Sequence, residues 1–275
     1  ALPTIIFFAA LLGALYYLRV MPFFVRLFAR VFSRTMRISG AEALSVSSNI
    51  FVGVESALVV KPHLAAMTRS ELGTIITAGM GTIASTTLGL YVLLLQKDIP
   101  MIAGHLVSAS FISAPACVVM AKLIMPETEK PMTLGLDVKP HYDRDENLIM
   151  AVINGAGDGL KLLGGIFTLL IAFLGLLALL NLGLGWAGGL LNGLFGWHVT
   201  WSLEALLGYL FYPLTLALGV PPSDALAVAK VIGERTVTTE VVSFNHLSAL
   251  ISGGVLRDPR SAIIASYALC GFAHV

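Results

Sequence analysis

Glu55 and Glu240 each sit in a stretch with a polar middle and hydrophobic flanks. The first stretch, 40–62, also carries Ser45, Ser47, Ser48, Asn49 and Ser56. The second, 218–247, carries Asp224, Lys230, Glu234, Arg235, Thr236, Thr238 and Thr239. An ionised carboxylate at membrane depth costs about 3 kcal/mol on insertion scales, so it needs a ligand, a counter-charge or a proton. A carboxylate accepts hydrogen bonds and donates none, which suits a pair of vicinal hydroxyls such as those of a ribose. Such charge-assisted bonds are stronger than neutral ones. Lys61 beside Glu55 and Arg235 beside Glu240 offer the alternative of plain ion pairs. Asn49, the backbone carbonyls of the tip near it and Thr82 supply neutral oxygens, which suit a hard cation such as sodium; a helix cap explains a lone asparagine equally well.

The elements that must position these groups are membrane helices. Of 275 residues, 57% are hydrophobic and 12% charged, and mean hydropathy is +0.87. Soluble domains are about a quarter charged. A bilayer core asks for about 20 apolar residues per helix. The windows 1–18, 72–96, 99–121, 162–203 and 205–223 approach or exceed that length, and all five run clear of Asp, Glu, Lys and Arg. An all-α polytopic membrane protein follows. Polar segments at membrane depth read as re-entrant helical hairpins, because irregular backbone is tolerated there only where it lines a cavity.

The remaining chain divides accordingly. Residues 1–39 read as a span followed by an interfacial helix, with Arg26, Arg30 and Arg34 on one face and Phe24, Leu27, Phe28, Val31 and Phe32 between them. Arg19, Arg26, Arg30, Arg34 and Arg37 contain no acid among them, which places this stretch on the cytoplasmic side. Residues 40–68 form the first hairpin, 69–125 a broken helix and the following span, and 126–147 a polar loop. Residues 148–199 form a long span and turn, with a Gly- and Trp-rich connection over 183–201. Residues 200–247 hold a span and the second hairpin, and 258–275 begin a second broken helix. Each half has a tip acid followed by Arg-Ser (Arg69-Ser70, Arg260-Ser261) opening an apolar helix, 14 and 20 residues on. That helix then meets a polar interruption, at Gly81-Thr82 and at His274, the logic of an inverted repeat. The chain opens and closes inside apolar spans, the pattern of a fragment of a longer protein.

Several functions are disfavoured. Seventeen basic residues balance sixteen acidic ones, so bulk charge names no nucleic-acid partner. Cys117 and Cys270 cannot build a disulfide framework or a zinc site and read as small packing residues. The sequence has no His-Glu-x-x-His and no Gly-x-Ser-x-Gly, and its six histidines are scattered, so an intramembrane enzyme is the weaker reading. The acidic run 143–146 fits a solvated loop.

The run Asn49-Ile50-Phe51-Val52-Gly53, then Glu55-Ser56, Lys61-Pro62, Met67 to Leu72 and Thr77-Ala78-Gly79 resembles the concentrative nucleoside transporter family. So do Thr82-Ile83-Ala84, the Pro126 to Pro131 loop and Tyr267 to Ala273, and the likeness covers nearly the whole chain in order. The resemblance implies sodium-coupled nucleoside symport by alternating access, in a homotrimer with one pathway per protomer. A multi-pass protein of a bacterial inner membrane is expected. Carried over residue by residue, the ribose-binding acids fall on Glu55 and Glu240. Val54, Gly53, Thr239, Phe272 and His274 surround the substrate, and the sodium ligands fall on Asn49, the Val52 carbonyl, Thr82 and the Ile83 carbonyl.

The departures bear on selectivity. The family's Gly-Gln-Thr-Glu tip is shortened here to Gly53-Val54-Glu55, losing an amide that helps read the base and a hydroxyl near the ion. Thr239-Glu240-Val241 stands for Asn-Glu-Phe, and His274 for an asparagine. Ribose recognition survives these changes better than base recognition does. His274 admits a different base preference or a titrating group, though a lone histidine in a buried helix is more often a satisfied hydrogen-bonder than a proton relay.

Overall fold

A computed structural model describes residues 4–141, 145–196 and 200–271, without the side chains of Val54, Glu55 and Phe195. The described residues contain helices and no strand, so the all-α expectation holds. Eleven α-helices are present among them: α1 (Thr4–Tyr17), α2 (Val20–Met36), α3 (Gly40–Val52), α4 (Arg69–Gly81), α5 (Ser85–Leu95), α6 (Ile102–Ile124), α7 (Leu148–Phe195), α8 (Leu203–Ala217), α9 (Pro222–Arg235), α10 (Glu240–Ser252) and α11 (Pro259–Ala268). A 3-10 segment, Gly53–Ala66, joins α3 to α4.

Among the described residues, three helical stretches are long and apolar enough to cross a membrane: Arg69–Leu95 taken across its break, Ile102–Ile124 and Leu148–Leu194. A fourth is added if α1 and α2 count as one span, but they are bent by 77°. The bend turns on Arg19, whose φ of 62° is left-handed. Beyond it α2 alternates arginines with aromatics, the composition of a helix lying along a surface and not through one. At 1.5 Å per residue, the 48 residues of α7 run about 72 Å, more than two bilayer cores. The turn expected over 183–201 is therefore shorter than the glycines implied: helix continues to Phe195. Glycine is tolerated in apolar spanning helices far better than in soluble ones.

The contacts divide the chain into two compact units. The described residues of the first are 4–92, 106–141, 145–163 and 270–271. Its core gathers Leu44, Val46 and Ile50 of α3 with Val25 and Ala29 of α2, Val59 and Val60 of the 3-10 segment, Ile75 and Ala78 of α4 and Ala114 and Val118 of α6. The 3-10 segment thus packs back on α3 as the second arm of a helical hairpin. Phe28, Phe51 and Phe111 meet with ring centroids 5.1–6.3 Å apart. The start of α7 lies directly against α1: a Cβ on Gly155 would meet the Ala9 carbonyl at 2.7 Å, and one on Gly159 the Ile6 Cα at 2.8 Å. Small residues four apart let two membrane helices touch backbone to backbone.

The described residues of the second unit are 93–105, 164–196 and 200–269. Here α8 packs tightly on α9, with Gly208 against Lys230 and Gly233 against Leu207. The arms α9 and α10 form the second hairpin, and α11 packs against both.

Candidate functional site

One group of expected site residues lies where α3 ends and α4 breaks. Asn49 is in the last turn of α3 and fully buried. Its Nδ2 donates to the Thr82 hydroxyl at 2.5 Å and to the Ala78 carbonyl. The Thr82 hydroxyl donates to the Asn49 carbonyl at 3.2 Å, and Ser56 donates to Asn49 Oδ1 at 3.3 Å. Thr82 is extended (φ −130°, ψ 154°), so the helix stops at Gly81 and resumes at Ser85. At the hairpin tip Gly53 takes φ +80°, and a Cβ there would meet the Ala84 Cβ at 2.8 Å. That close approach sets the chain just after Val52 against the chain just after Ile83, and Ile83 is buried. Of the four expected cation ligands, Asn49 and Thr82 are thus in direct contact, and Val52 and Ile83 flank the Gly53–Ala84 approach. All four offer neutral oxygens, the donor class that hard cations take. The sequence places Ser56 in a polar stretch and in the Glu55-Ser56 motif but gives no sign that its hydroxyl bonds Asn49.

The base of this hairpin is held by charges. Ser39 caps α3 with Glu42, and Thr68 caps α4 with Glu71, each as a reciprocal capping box. Lys122 of α6 brings its ammonium to 2.6 Å from Glu42 Oε1 and donates to the Ser70 hydroxyl at 2.8 Å. Glu42 is 1% exposed, so this ion pair neutralises a buried carboxylate. Glu127 accepts from Thr68 at 2.9 Å and lies 3.5 Å from Lys122. The Ser-x-x-Glu and Thr-x-x-Glu spacings carried the signal for the caps. Nothing in the sequence marked Lys122 as their common partner.

A second group of expected site residues lies at the start of α10. Glu240 is the first residue of α10 and is 5% exposed. Its carboxylate stands at a helix N-terminus, where the peptide dipoles favour negative charge. Thr239 before it is extended (φ −109°, ψ 157°) and buried. The hydroxyls of Thr239 and Ser243 are buried without a hydrogen-bond partner among the described residues. Arg235 Nη1 donates to the Ala268 carbonyl at the end of α11. The structure therefore gives Arg235 a partner besides any acid. His246 Nδ1 lies 2.6 Å from Glu234 Oε2 and links the two arms. Asp224, in the first turn of α9, accepts from the backbone of Arg257 and Asp258 and from the Ser261 hydroxyl at 2.8–3.1 Å.

The side chains of Glu55 and Val54, and the residues Phe272 and His274, lie outside the described residues. Lys61, the alternative partner of Glu55, is exposed. Cys117 packs on the end of α4, where a Cβ on Gly81 would fall 1.9 Å from its Sγ, and Cys270 is buried, so both cysteines act as small packing residues.

Residues 105–275, more than half of the chain, match the family described as "Na+ dependent nucleoside transporter C-terminus", and residues 1–97 match "Nucleoside recognition". An uncharacterized transporter of Bacillus subtilis, YutK, is 42% identical over 99% of this chain and 65% of its own length. The mouse solute carrier family 28 member 3 is 39% identical over 99% of this chain and 39% of its own length. The structure of CNTnw in an inward-facing substrate-bound state superposes with a TM-score of 0.85 at 32% identity, covering all of this chain and 63% of that one. The chain thus spans about two fifths to two thirds of the length of these relatives, which are transporters and not enzymes. By these matches the chain belongs to the Na+ dependent nucleoside transporter family.

Proposed function

We propose that the protein is a secondary active transporter that carries a nucleoside together with sodium across the membrane and leaves it chemically unchanged. The observation that carries the cation half is the buried Asn49–Thr82 contact at the break between α4 and α5. Sodium takes Asn49, the Val52 and Ile83 carbonyls and Thr82 as ligands, and in doing so orders the tip of a re-entrant first hairpin. The ribose then lies between Glu55 and Glu240, with Gly53, Val54, Thr239, Phe272 and His274 around it. Support for Glu240 comes from its burial at a helix N-terminus beside the unpartnered Thr239 hydroxyl. Alternating access follows if the loaded hairpins move together in each protomer of a homotrimer, in a bacterial inner membrane. Ligands shift such an equilibrium only by their differential affinity for the two states.

Uptake of labelled uridine and adenosine into proteoliposomes, with and without an inward sodium gradient, tests this reading. Sodium is expected to stimulate uptake, and the accumulated label to remain the intact nucleoside. A proton-coupled form of the same transporter is the second reading, favoured by the buried Glu234 lying against the titratable His246. Uptake driven by a proton gradient and indifferent to sodium would select it. Label recovered as free base and sugar would instead mean an enzyme.

A further inference from the structure

The basic face of α2 borders a cleft that the transport reading does not use. The cleft has a volume of about 430 Å³ and lies between α2 and the 134–138 loop, lined by Arg30, Ser33, Arg34, Arg37 and Asp137. Arg30 donates to Asp137 at 3.0 Å, while Arg34 and Arg37 have no ion-pair partner among the described residues. Three arginines against one aspartate leave the cleft with an excess of two positive charges. On the same helix Phe23, Phe24, Leu27 and Val31 are 41–62% exposed, although they are large and apolar. At 100° per residue Leu27 and Val31 stand next to Arg34 around the helix axis, so an apolar strip borders the cationic one. A cationic cleft edged by exposed apolar side chains matches a molecule with an anionic head and hydrocarbon tails. The arginine-rich, acid-free stretch also assigns this face to the cytoplasmic leaflet, where anionic lipids concentrate.

We propose that this cleft binds the headgroup phosphate of an anionic phospholipid, with Arg34 and Arg37 on the phosphate and the acyl chains along Leu27 and Val31. Arg30 is held partly in reserve by Asp137. The lipid fixes α2 in the headgroup layer beside the start of the first hairpin, since Arg37 is separated from the Ser39 cap of α3 by one residue.

The test is native mass spectrometry of the purified protein after exchange into an equal mixture of phosphatidylglycerol and phosphatidylcholine. Wild type is expected to retain phosphatidylglycerol selectively. Each arginine near an anionic surface is worth about fivefold in affinity, so R34Q/R37Q should retain roughly twentyfold less. R26Q, outside the cleft, should change retention less than twofold. D137N frees Arg30 and should raise retention severalfold, and this arm decides the matter even if the double variant folds poorly. Unchanged retention in R34Q/R37Q or in D137N, or equal retention of phosphatidylcholine, would overturn the proposal. Displacement of the lipid by inorganic phosphate alone would also overturn it, in favour of a soluble-anion site.

Discussion

Asn49 and Thr82 hold each other by two hydrogen bonds, amide to hydroxyl at 2.5 Å and hydroxyl to carbonyl at 3.2 Å, although they stand 33 residues apart. The contact joins the last turn of a hairpin arm to the break in the next helix, and both side chains are fully buried. A cation bound there would share ligands from both elements and so tie them together. A ligand that binds only the folded state adds about 2.7 kcal/mol at a hundred times its dissociation constant. Sodium, but not choline, should therefore raise the melting temperature of the purified protein. In N49A and T82V that sodium-specific rise should disappear. A rise of the same size in both variants would remove these residues from the ion site.

Glu240 carries the next expectation. Replacing a buried carboxylate by an amide of the same shape keeps the packing and removes the charge-assisted bonds to substrate hydroxyls. A site built to hydrogen-bond a hydroxyl discriminates strongly when that bond is lost. E240Q should lower kcat/KM for nucleoside uptake about a hundredfold while leaving the sodium-induced thermal shift in place. Normal uptake by E240Q would mean that the acid binds no substrate.

At the base of the first hairpin, Lys122 is the only ammonium that the structure sets against Glu42 among the described residues. Removing one member of a buried pair leaves the other uncompensated and costs about 3–5 kcal/mol. K122M should thus lower the thermal midpoint sharply. The double variant K122M/E42Q should recover much of the loss, because it no longer buries an unpaired charge. Additive losses in a double-mutant cycle would show that the pair is not coupled.

Composition and short motifs made the membrane class, the all-helical fold and the basic stretch that α2 carries readable, because each depends on local pattern: apolar length and arginine spacing. Arg69-Ser70 and Arg260-Ser261 even marked helix starts, and both serines turn out buried, Ser70 bonded to Lys122 and Ser261 to Asp224. Those partners were not legible. Lys122 lies 52 residues from Ser70 and Asp224 lies 37 from Ser261, and no periodicity encodes such pairings. The same holds for Ser56 on Asn49, and for the 3-10 geometry of Gly53–Ala66, which carries Pro62 within it. The helical length of α7 was hidden for a different reason: glycines that break soluble helices persist in apolar ones.

Asp224 gives a further expectation. Its buried carboxylate accepts from the Ser261 hydroxyl and from the backbone of Arg257 and Asp258. D224N should cost about 2–3 kcal/mol through weakened bonds to these donors, read as a lower thermal midpoint. An unchanged midpoint would mean that these bonds do not hold the start of α9 to the start of α11.

Gly81 closes α4 directly beneath Cys117, and no side chain fits between them. A Cβ there would lie 1.9 Å from the Cys117 Sγ but 3.6 Å from its Cβ, so the obstruction is the sulfur alone. Overpacking of this kind costs about 1–3 kcal/mol. G81A should therefore destabilise the protein and displace the adjoining Thr82, weakening sodium-dependent stabilisation along with overall stability. C117A removes the sulfur and leaves a Cβ at ordinary contact distance, so G81A/C117A should regain most of both. Recovery of stability without recovery of the sodium response would separate packing at the helix end from the geometry of the ion ligands. Failure to recover either would mean that Gly81 is required for its backbone and not for the space it leaves to Cys117.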